Sequence, residues 1–389
     1  MHPGYPGQDV APPWEEIRRD FPALKRCVYL NAAAGSPTPR PVREAVSAFY
    51  RELEDGGDSH WDAWMSRREQ VRERVAGLLG AHPDEIAFVP DTSTGINLVV
   101  DLLGSAGAVL SDELEFPTVT LPWLHRGATV HFLPAVEGVV RLESFAAGQA
   151  PRAASIAISH VQFSNGCRQD LDAFGAIKAG RNLVVSGSQS LGAFPVDVAR
   201  SGVDALASCG SKWLCAGYGA GLLYVSRALL ERHPPRTLGW LSVEEPFAFD
   251  NQRYRVLASN RRVELGCPAF GGVFALGAAV EYLSGIGIGA IAERVLALNL
   301  YLTLQLERHG FTVLSPGGEH RSGQTLCELA DPAGAVAFLR ELGILVTQKA
   351  QGVRISTHFY NNDEDVDACV RGLVEFRRTA GSPAPVPLD

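Results

Sequence analysis

The chain contains 389 residues, of which 46% are hydrophobic and 20% are charged. This length predicts two domains, or one large and one small domain, and the composition supplies enough apolar side chains to exclude a wholly disordered chain. The net charge of −8 and the lack of a dense Lys or Arg run argue against a nucleic-acid partner.

The sequence also indicates in which compartment the protein works. Without a run of about 18 apolar residues, we expect no transmembrane helix and no membrane partner. Residues 1–13 are rich in Pro and Gly and lack the apolar stretch of a secretory signal. The seven cysteines are scattered without a Cys-x-x-Cys pair, which predicts neither a metal site nor a disulfide framework. We therefore expect a cytoplasmic protein with reduced thiols.

Short apolar runs alternate with helical patterns from about residue 85 to residue 226. Strands are predicted at 85–90, 108–111, 129–133, 155–159, 182–186, 204–208 and 221–225, and helices at 95–103 and 171–178. Strands this apolar are typical of a mainly parallel sheet that is covered by helices on both faces. Ligands of such sheets bind at the carboxyl ends of the strands.

The pattern changes after residue 271. A long helical region is predicted at 273–309 with a break at 285–289, then strands near Thr312, Thr325, Ile344 and Val353, and helices at 335–342 and 363–377. We interpret this half as a smaller α+β domain. The predicted organisation is an N-terminal arm that joins the small domain (1–27), a large domain (28–270), the small domain (271–378) and a flexible tail (379–389).

Segment 208–221 carries one lysine among small residues, in the sequence SCGSKWLCAGYGAG. It lies between two predicted strands, and its glycines allow the backbone to approach a ligand closely. An apolar pocket would lower the pKa of Lys212 and make its amine a nucleophile suited to Schiff-base formation. The alternative is a surface lysine in a glycine-rich loop, and this segment alone leaves both open.

This segment resembles the Schiff-base lysine motif of the class V aminotransferase family, which includes cysteine desulfurases, kynureninase and isopenicillin N epimerase-like proteins. Six further blocks resemble the family in the same order: VYLNAAAG at 28–35, DTSTGIN at 91–97, SHVQFSNG at 159–166, GSQSLGAFPVD at 187–197, ELGCP at 264–268 and VRISTHFYN at 353–361. The resemblance implies a fold-type I enzyme that uses pyridoxal 5′-phosphate (PLP). Such enzymes have a mainly parallel seven-stranded sheet with helices on both faces and a smaller α+β C-terminal domain. It also implies a homodimer with shared active sites.

The resemblance assigns cofactor roles to several side chains. Lys212 would form the Schiff base and then act as a general base on the Cα proton. Thr92, Ser93 and Thr94 would bind the phosphate at a helix start, where free N–H groups favour an anion; ordinary N-capping by Thr94 is compatible with this. Phe116, in an EFPT sequence similar to that of kynureninase, would stack on the ring. Its alternative is a core phenylalanine.

Three further cofactor contacts follow from the strand-end blocks. Gln189 would lie near the phenolic oxygen of the cofactor, and His160 and Asn165 would face the same region. Each could instead be a core polar residue with satisfied hydrogen bonds.

Two more residues are assigned by their positions in the family pattern. Arg354 would bind the substrate α-carboxylate bidentately; its alternative is a surface salt bridge with Asp363 or Glu364. Cys267 would contact the phosphate bound by the partner subunit. Many relatives have a threonine at this position, and a thiol is a weaker hydrogen-bond donor than the threonine hydroxyl.

Two positions depart from the family pattern. Ser186 stands where the family has an aspartate, and Ser211 where it usually has a histidine. The aspartate keeps the pyridine nitrogen protonated, so that the ring can accept charge, whereas a serine hydroxyl only hydrogen-bonds a neutral nitrogen. Ser186 therefore indicates elimination rather than transamination, a different role for the cofactor, or its loss.

Segment 343–352, GILVTQKAQG, has no cysteine, although desulfurases of this family carry a catalytic cysteine on the corresponding loop. We therefore expect a PLP-dependent enzyme that acts at Cα or Cβ of an amino acid or an amino-acid-derived metabolite. Elimination by a lyase, transamination by a transferase and epimerisation remain open, and a persulfide-forming cysteine desulfurase is not expected. The alternative is a family member that has lost ordinary PLP catalysis and uses its ligand cleft for other chemistry or binding.

Overall fold

The structure is a computed structural model that describes residues 12–105, 107–146 and 153–380. Its helices are α1 Trp14–Arg18, α2 Arg40–Gly56, α3 Trp61–Leu79, α4 Thr92–Leu103, α5 Pro117–His125, α6 Leu171–Ile177, α7 Arg227–Arg232, α8 Phe270–Ile286, α9 Ile288–Arg308, α10 Pro332–Glu341 and α11 Asp363–Ala380. Its strands are β1 Val28–Tyr29, β2 Ile86–Val89, β3 Ala108–Asp112, β4 Val130–Leu133, β5 Ala153–Ser159, β6 Asn182–Ser186, β7 Ala205–Cys209, β8 Gly221–Val225, β9 Gln324–Glu328, β10 Ile344–Leu345, β11 Thr347–Lys349 and β12 Gly352–Ser356.

The central sheet has seven strands in the order β2-β8-β7-β6-β5-β3-β4. Strands β4, β3, β5, β6 and β7 are parallel, and β8 is antiparallel to both β7 and β2. The prediction of a mainly parallel seven-stranded sheet is confirmed. The antiparallel turn between β7 and β8 agrees with their short connection, because a parallel crossover needs a dozen or more residues and usually a helix.

Both faces of this sheet are buried. Leu183 and Val185 of β6 belong to one apolar core, whereas Val184 between them belongs to the other. The first core includes Val71 of α3 and Phe274 of α8. Two covered faces explain why these strands read as continuous apolar runs rather than as alternating patterns.

The C-terminal half forms an antiparallel sheet, in the order β11-β12-β9, and β10 pairs in parallel with β1 near the N-terminus. The predicted helix break is confirmed at Gly287, whose φ of +98° favours glycine. No single described helix is long and apolar enough to cross a membrane; α8 and α9 meet that criterion only together, and they are bent by 78°.

The domain division stays a prediction. Arg18 of α1 bonds Asp365 of α11 at 2.7 Å, so the N-terminal region contacts the C-terminal helix. Helix α8, just after the predicted boundary, packs into the same core as the central sheet. Helix α11 extends to Ala380 and so includes the start of the predicted tail, while 381–389 and 1–11 lie outside the described residues.

Candidate active site

Three predicted site residues and one aromatic residue that was not predicted follow or end parallel strands at the same edge of the sheet. Phe116 follows β3, Phe163 follows β5, Ser186 ends β6 and Lys212 follows β7. The carboxyl ends of these strands meet at one edge, which is where ligands bind in α/β sheets. We call the space bounded by Phe116, Phe163, Lys212, Lys349 and Arg354 the active-site cleft.

Lys212 is held in the turn between β7 and β8. The turn is closed by hydrogen bonds from Gly210 N to Ala220 O (2.7 Å) and from Ala216 N to Gly210 O (2.8 Å). The Lys212 Nζ lies 5.8 Å from the centroid of the Phe116 ring, and no carboxylate of a described residue pairs with it. Burial lowers the pKa of Lys212; the Cys209 thiol opposes that shift and the Arg354 guanidinium adds to it. The amine therefore tends toward its neutral, nucleophilic form.

The residues predicted to bind phosphate begin α4 directly after β2. Asp91, rather than Thr94, caps this helix, and its Oδ1 accepts from Thr94 N at 2.8 Å. The N–H groups of Thr92 and Ser93 have no acceptor within the helix, as is general for a first turn. Their hydroxyls are engaged, with Thr92 Oγ1 2.5 Å from Ser188 Oγ and Ser93 Oγ 2.8 Å from Thr118 Oγ1.

Ser186 stands at the end of β6 among other hydroxyls. Its Oγ lies 3.5 Å from Ser188 Oγ, and Ser188 in turn bonds Thr92. All three side chains are buried. A line of neutral hydroxyls thus connects the position that the family gives to an aspartate with the first turn of α4.

Phe116 is not a core residue, because 43% of its surface is exposed. Its ring meets the Phe163 ring edge to face, with 5.0 Å between centroids. The preceding residue is anchored: the Glu115 carboxylate accepts from Ser159 Oγ at 2.6 Å, from the Ser159 amide and from Gln162 Nε2 at 2.8 Å. Phe116 therefore offers an accessible aromatic surface on a fixed backbone.

A second carboxylate lies beside Glu115. Asp112 Oδ2 accepts from the same Gln162 Nε2, at 3.0 Å. Burial raises the pKa of Asp112 to about 8, and the charge of Glu115 contributes to this shift. Burial also raises the pKa of Glu115, although the hydrogen bonds from Ser159 lower it in part. The pair under Phe116 therefore tends to retain a proton.

Arg354 on β12 is buried and its Nη1 donates to Phe163 O at 2.9 Å. Its Nε is buried without a hydrogen-bond partner among the described residues, and burial lowers its pKa to about 10. The structure pairs it with neither Asp363 nor Glu364 over the described ranges, so the surface salt-bridge alternative is not supported. Unused donors in a buried guanidinium fit a carboxylate ligand.

Sequence reasoning missed Lys349 and Phe163. The Lys349 Nζ lies 4.4 Å from the centroid of the Phe163 ring. Burial lowers the pKa of Lys349 to about 8, with further contributions from Arg354 and Lys212. The one available signal was the scarcity of lysine, since the chain has only four: Lys25, Lys178, Lys212 and Lys349.

Two predicted cofactor contacts have their amides engaged by the protein. Gln189 Nε2 donates to Ala33 O at 2.9 Å, and its Oε1 accepts from Trp213 Nε1 at 2.8 Å. Asn165 Nδ2 donates to Gly138 O at 2.7 Å. Both therefore match the alternative of satisfied polar residues, and their cofactor roles stay predictions.

His160 faces another part of the molecule. Among the described residues its Nδ1 is buried without a hydrogen-bond partner, and the side chain lines a polar cavity of about 890 Å³ with Arg168 and Asp172. Burial lowers the pKa of His160 to about 3, with a contribution from Arg168. Its amide donates to the carbonyl of Ser186 at 3.0 Å, so its backbone adjoins the predicted site, and its cofactor role stays a prediction.

The remaining two predicted residues are Cys267 and Ser211. Cys267 is exposed and, with Thr94, lines a cavity of about 320 Å³. Glu264 of the same block is buried and accepts from Phe88 N at 2.7 Å. Ser211 is buried, and its carbonyl accepts from Ser36 N at 2.8 Å. The proposed contact of Cys267 with a partner's phosphate remains a prediction.

Comparison with known proteins identifies the class. Residues 28–369 match the family Aminotransferase class-V, and the chain belongs to this family. It is an enzyme whose cofactor is pyridoxal 5′-phosphate. The prediction of a PLP-dependent enzyme is therefore confirmed, and loss of the cofactor is not supported.

Individual relatives are distant. An uncharacterized aminotransferase, YcbU, from Bacillus subtilis is 29% identical over 90% of this chain and 95% of its own. A probable cysteine desulfurase from Methanothermobacter thermautotrophicus is 28% identical over 93% of this chain and 98% of its own. The apo structure of a cysteine desulfurase from Thermococcus onnurineus NA1 has a TM-score of 0.87 at 25% identity, covering 96% of this chain and all of that one.

The residues of the cleft fit this cofactor. Lys212 supplies a buried amine without a carboxylate partner among the described residues, and Phe116 an exposed aromatic face. The first turn of α4 supplies free N–H groups for a phosphate. Ser186 would supply a neutral hydroxyl for the pyridine nitrogen. When bound, PLP withdraws electrons from Cα of an amino acid and makes the Cα–H bond acidic.

Proposed function

We propose that this enzyme is a lyase that eliminates a β-substituent from an amino acid. The observation that carries the proposal is Ser186, a buried hydroxyl that lies 3.5 Å from the Ser188 hydroxyl, at the position where the family resemblance leads us to expect an aspartate. Because it brings no negative charge, it stabilises electron density on the pyridine ring less than a carboxylate does. Expulsion of a leaving group from Cβ removes that electron density at once, whereas transamination must retain it until a proton returns.

Arg354 and Lys212 have different roles in the proposed elimination. Arg354 binds the α-carboxylate through its free donors and so fixes the direction of the Cα–H bond. Lys212 accepts the Cα proton, for which its lowered pKa makes a neutral amine available. The electron pair of the Cα–H bond forms a Cα=Cβ bond while the bond from Cβ to the substituent breaks, and the substituent departs with that bond's electrons. Hydrolysis then yields a 2-oxo acid and ammonia.

The experiment incubates the holoenzyme with β-chloro-L-alanine and measures pyruvate and ammonia. Equal amounts of both, without an added 2-oxo acid, are expected. Pyruvate is then traced to elimination, because transamination would require an acceptor and release no ammonia. Product formation only with an acceptor, or racemisation without either product, would contradict the lyase proposal.

We also infer that the enzyme does not form a persulfide, although relatives bear the name cysteine desulfurase. What supports this is Lys349, which occupies the segment before Arg354 in the absence of a cysteine. With cysteine as substrate, elimination yields pyruvate, whereas a desulfurase yields alanine. Alanine, or a persulfide found on the chain by mass spectrometry, would overturn this part; Cys209, near Lys212, is then the thiol to replace by serine.

We further infer a homodimer. Beside the 264–268 block, Trp240, Phe247 and Phe249 contact one another yet remain exposed, Phe249 by 75%. Exposed aromatic clusters of this kind are typical of interfaces. Sedimentation at micromolar concentration should give twice the chain mass, and Phe249→Ser should shift the protein toward the monomer, with exposed Tyr50→Ser as the control.

A further inference from the structure

Three basic side chains lie around one pair of aromatic rings. Arg354 donates to the Phe163 carbonyl at 2.9 Å, and the Lys349 Nζ lies 4.4 Å from the centre of the same residue's ring. Lys212 lies on the other side, 5.8 Å from Phe116, whose ring contacts Phe163. Over the ranges 12–105, 107–146 and 153–380, no carboxylate lies within ion-pair distance of any of these three side chains. Partly buried positive charge without counter-charge is unfavourable, so the cleft is built for anions.

The proposed function accounts for two of these three side chains. Arg354 is used by the substrate α-carboxylate, and Lys212 works as a neutral amine. The phosphate site predicted at the start of α4 involves Thr92 and Ser93, whose hydroxyls bond Ser188 and Thr118 rather than Lys349. Lys349 is therefore left without an anion.

Resting on that proposed function, we propose that Lys349 binds a second anionic group carried by the substrate side chain. The substrate is then an amino acid with an acidic side chain, such as a carboxylate or an oxidised sulfur group. The position of Lys349 suits this role because β11 and β12 are adjacent antiparallel strands, which place Lys349 and Arg354 on one small sheet. Both cations contact Phe163, so the ligand's two anionic ends would be bound on either side of a fixed residue.

The test measures equilibrium binding to the holoenzyme by calorimetry, with glutarate as the dianionic probe and butyrate as the monoanionic one. Wild type should bind glutarate more tightly. Lys349→Gln should weaken glutarate binding about 10-fold to 100-fold, as for the loss of a hydrogen bond to a charged group, and leave butyrate binding unchanged. Lys349→Arg should retain the preference, and exposed Lys25→Gln is the matched control.

Three results would overturn the proposal. Wild type without a preference for glutarate would do so, as would a Lys349→Gln variant that binds glutarate normally. Equal weakening of both probes would show that Lys349 supports the α-carboxylate site instead. Because this readout is binding, it is independent of pyruvate formation: absence of elimination with an intact glutarate preference would refute the lyase and leave the anion site standing.

Discussion

The side-chain oxygens of Thr92 and Ser188 lie 2.5 Å apart, and their hydrogen bond joins the first turn of α4 to the turn after β6. Both residues are buried. The bond therefore connects the predicted phosphate site to the strand end that carries Ser186. This hydrogen bond would hold the predicted phosphate site and Ser186 at a fixed distance before a ligand binds.

A double-mutant cycle tests this connection. Thr92→Val and Ser188→Ala should each lower the free energy of unfolding of the apoprotein by about 1 kcal/mol, since each leaves a buried hydroxyl or cavity. The double variant should cost about 1 kcal/mol less than the sum. Urea unfolding measures all four proteins. Ser93→Ala, which breaks the exposed bond to Thr118, is the control and should change the free energy of unfolding little. Strict additivity of the two single changes would show that the Thr92–Ser188 bond contributes nothing to stability.

Lys212→Ala should abolish covalent attachment of PLP. Borohydride reduction followed by peptide mass spectrometry should give a cofactor-sized mass increment on the Lys212 peptide of wild type and none on the variant. Lys25→Ala should behave as wild type, because Lys25 lies exposed on the surface. An increment that moves to Lys349, the other cleft lysine, would show that the turn after β7 is not the sole attachment site.

The strands of the central sheet were predictable because burial on both faces gives each of them a continuous apolar run. Helices α2 and α3 were not predicted, and α3 shows why: its Arg68 and Arg72 are buried against Glu264. Charged side chains on the buried face interrupt the apolar period from which a helix is recognised. Their partner lies far away in sequence, so no local pattern could reveal the pairing.

The site was predictable in part. Segment 208–221 led to Lys212. Lys349 could not be assigned in the same way, because its contact with Phe163, which also bonds Arg354, forms only in the tertiary structure. The role of His160 stays a prediction, and its surroundings became visible only in the structure. Ser159, the last residue of β5, bonds Glu115 beneath Phe116. The next residue, His160, lines the separate polar cavity and donates its amide to the Ser186 carbonyl.

Ser186→Asp should move the reaction toward transamination. A carboxylate at this position would hold the pyridine nitrogen protonated and stabilise charge on the ring. The ratio of transamination to elimination should rise about 10-fold, which corresponds to about 1.4 kcal/mol in relative barrier height. Ser186→Asn is the matched control, because it has the same size without the charge and should retain the wild-type ratio. An unchanged ratio in Ser186→Asp, with PLP bound, would show that this position does not select the reaction.

Asp112→Asn should flatten the dependence of stability on pH. The folded-state pKa of Asp112, about 8, exceeds its ordinary value of 3.8 because of burial and the neighbouring Glu115. Between these values the folded chain holds a proton that the unfolded chain releases, so stability is fully present at low pH and is lost as the pH rises toward 8. Asparagine resembles the protonated carboxyl and has no proton to lose.

The measurement compares the free energy of urea unfolding of wild type and Asp112→Asn from pH 5 to pH 8.5. Taking the difference cancels the titration of groups that do not interact with Asp112, including His160. The variant should gain stability relative to wild type by up to about 1.4 kcal/mol per pH unit, the limit for one proton. Exposed Asp55→Asn should follow wild type throughout. Parallel curves for Asp112→Asn and wild type would mean that the carboxylate pair beneath Phe116 is already ionised at neutral pH, and that Gln162 and Ser159 stabilise both charges.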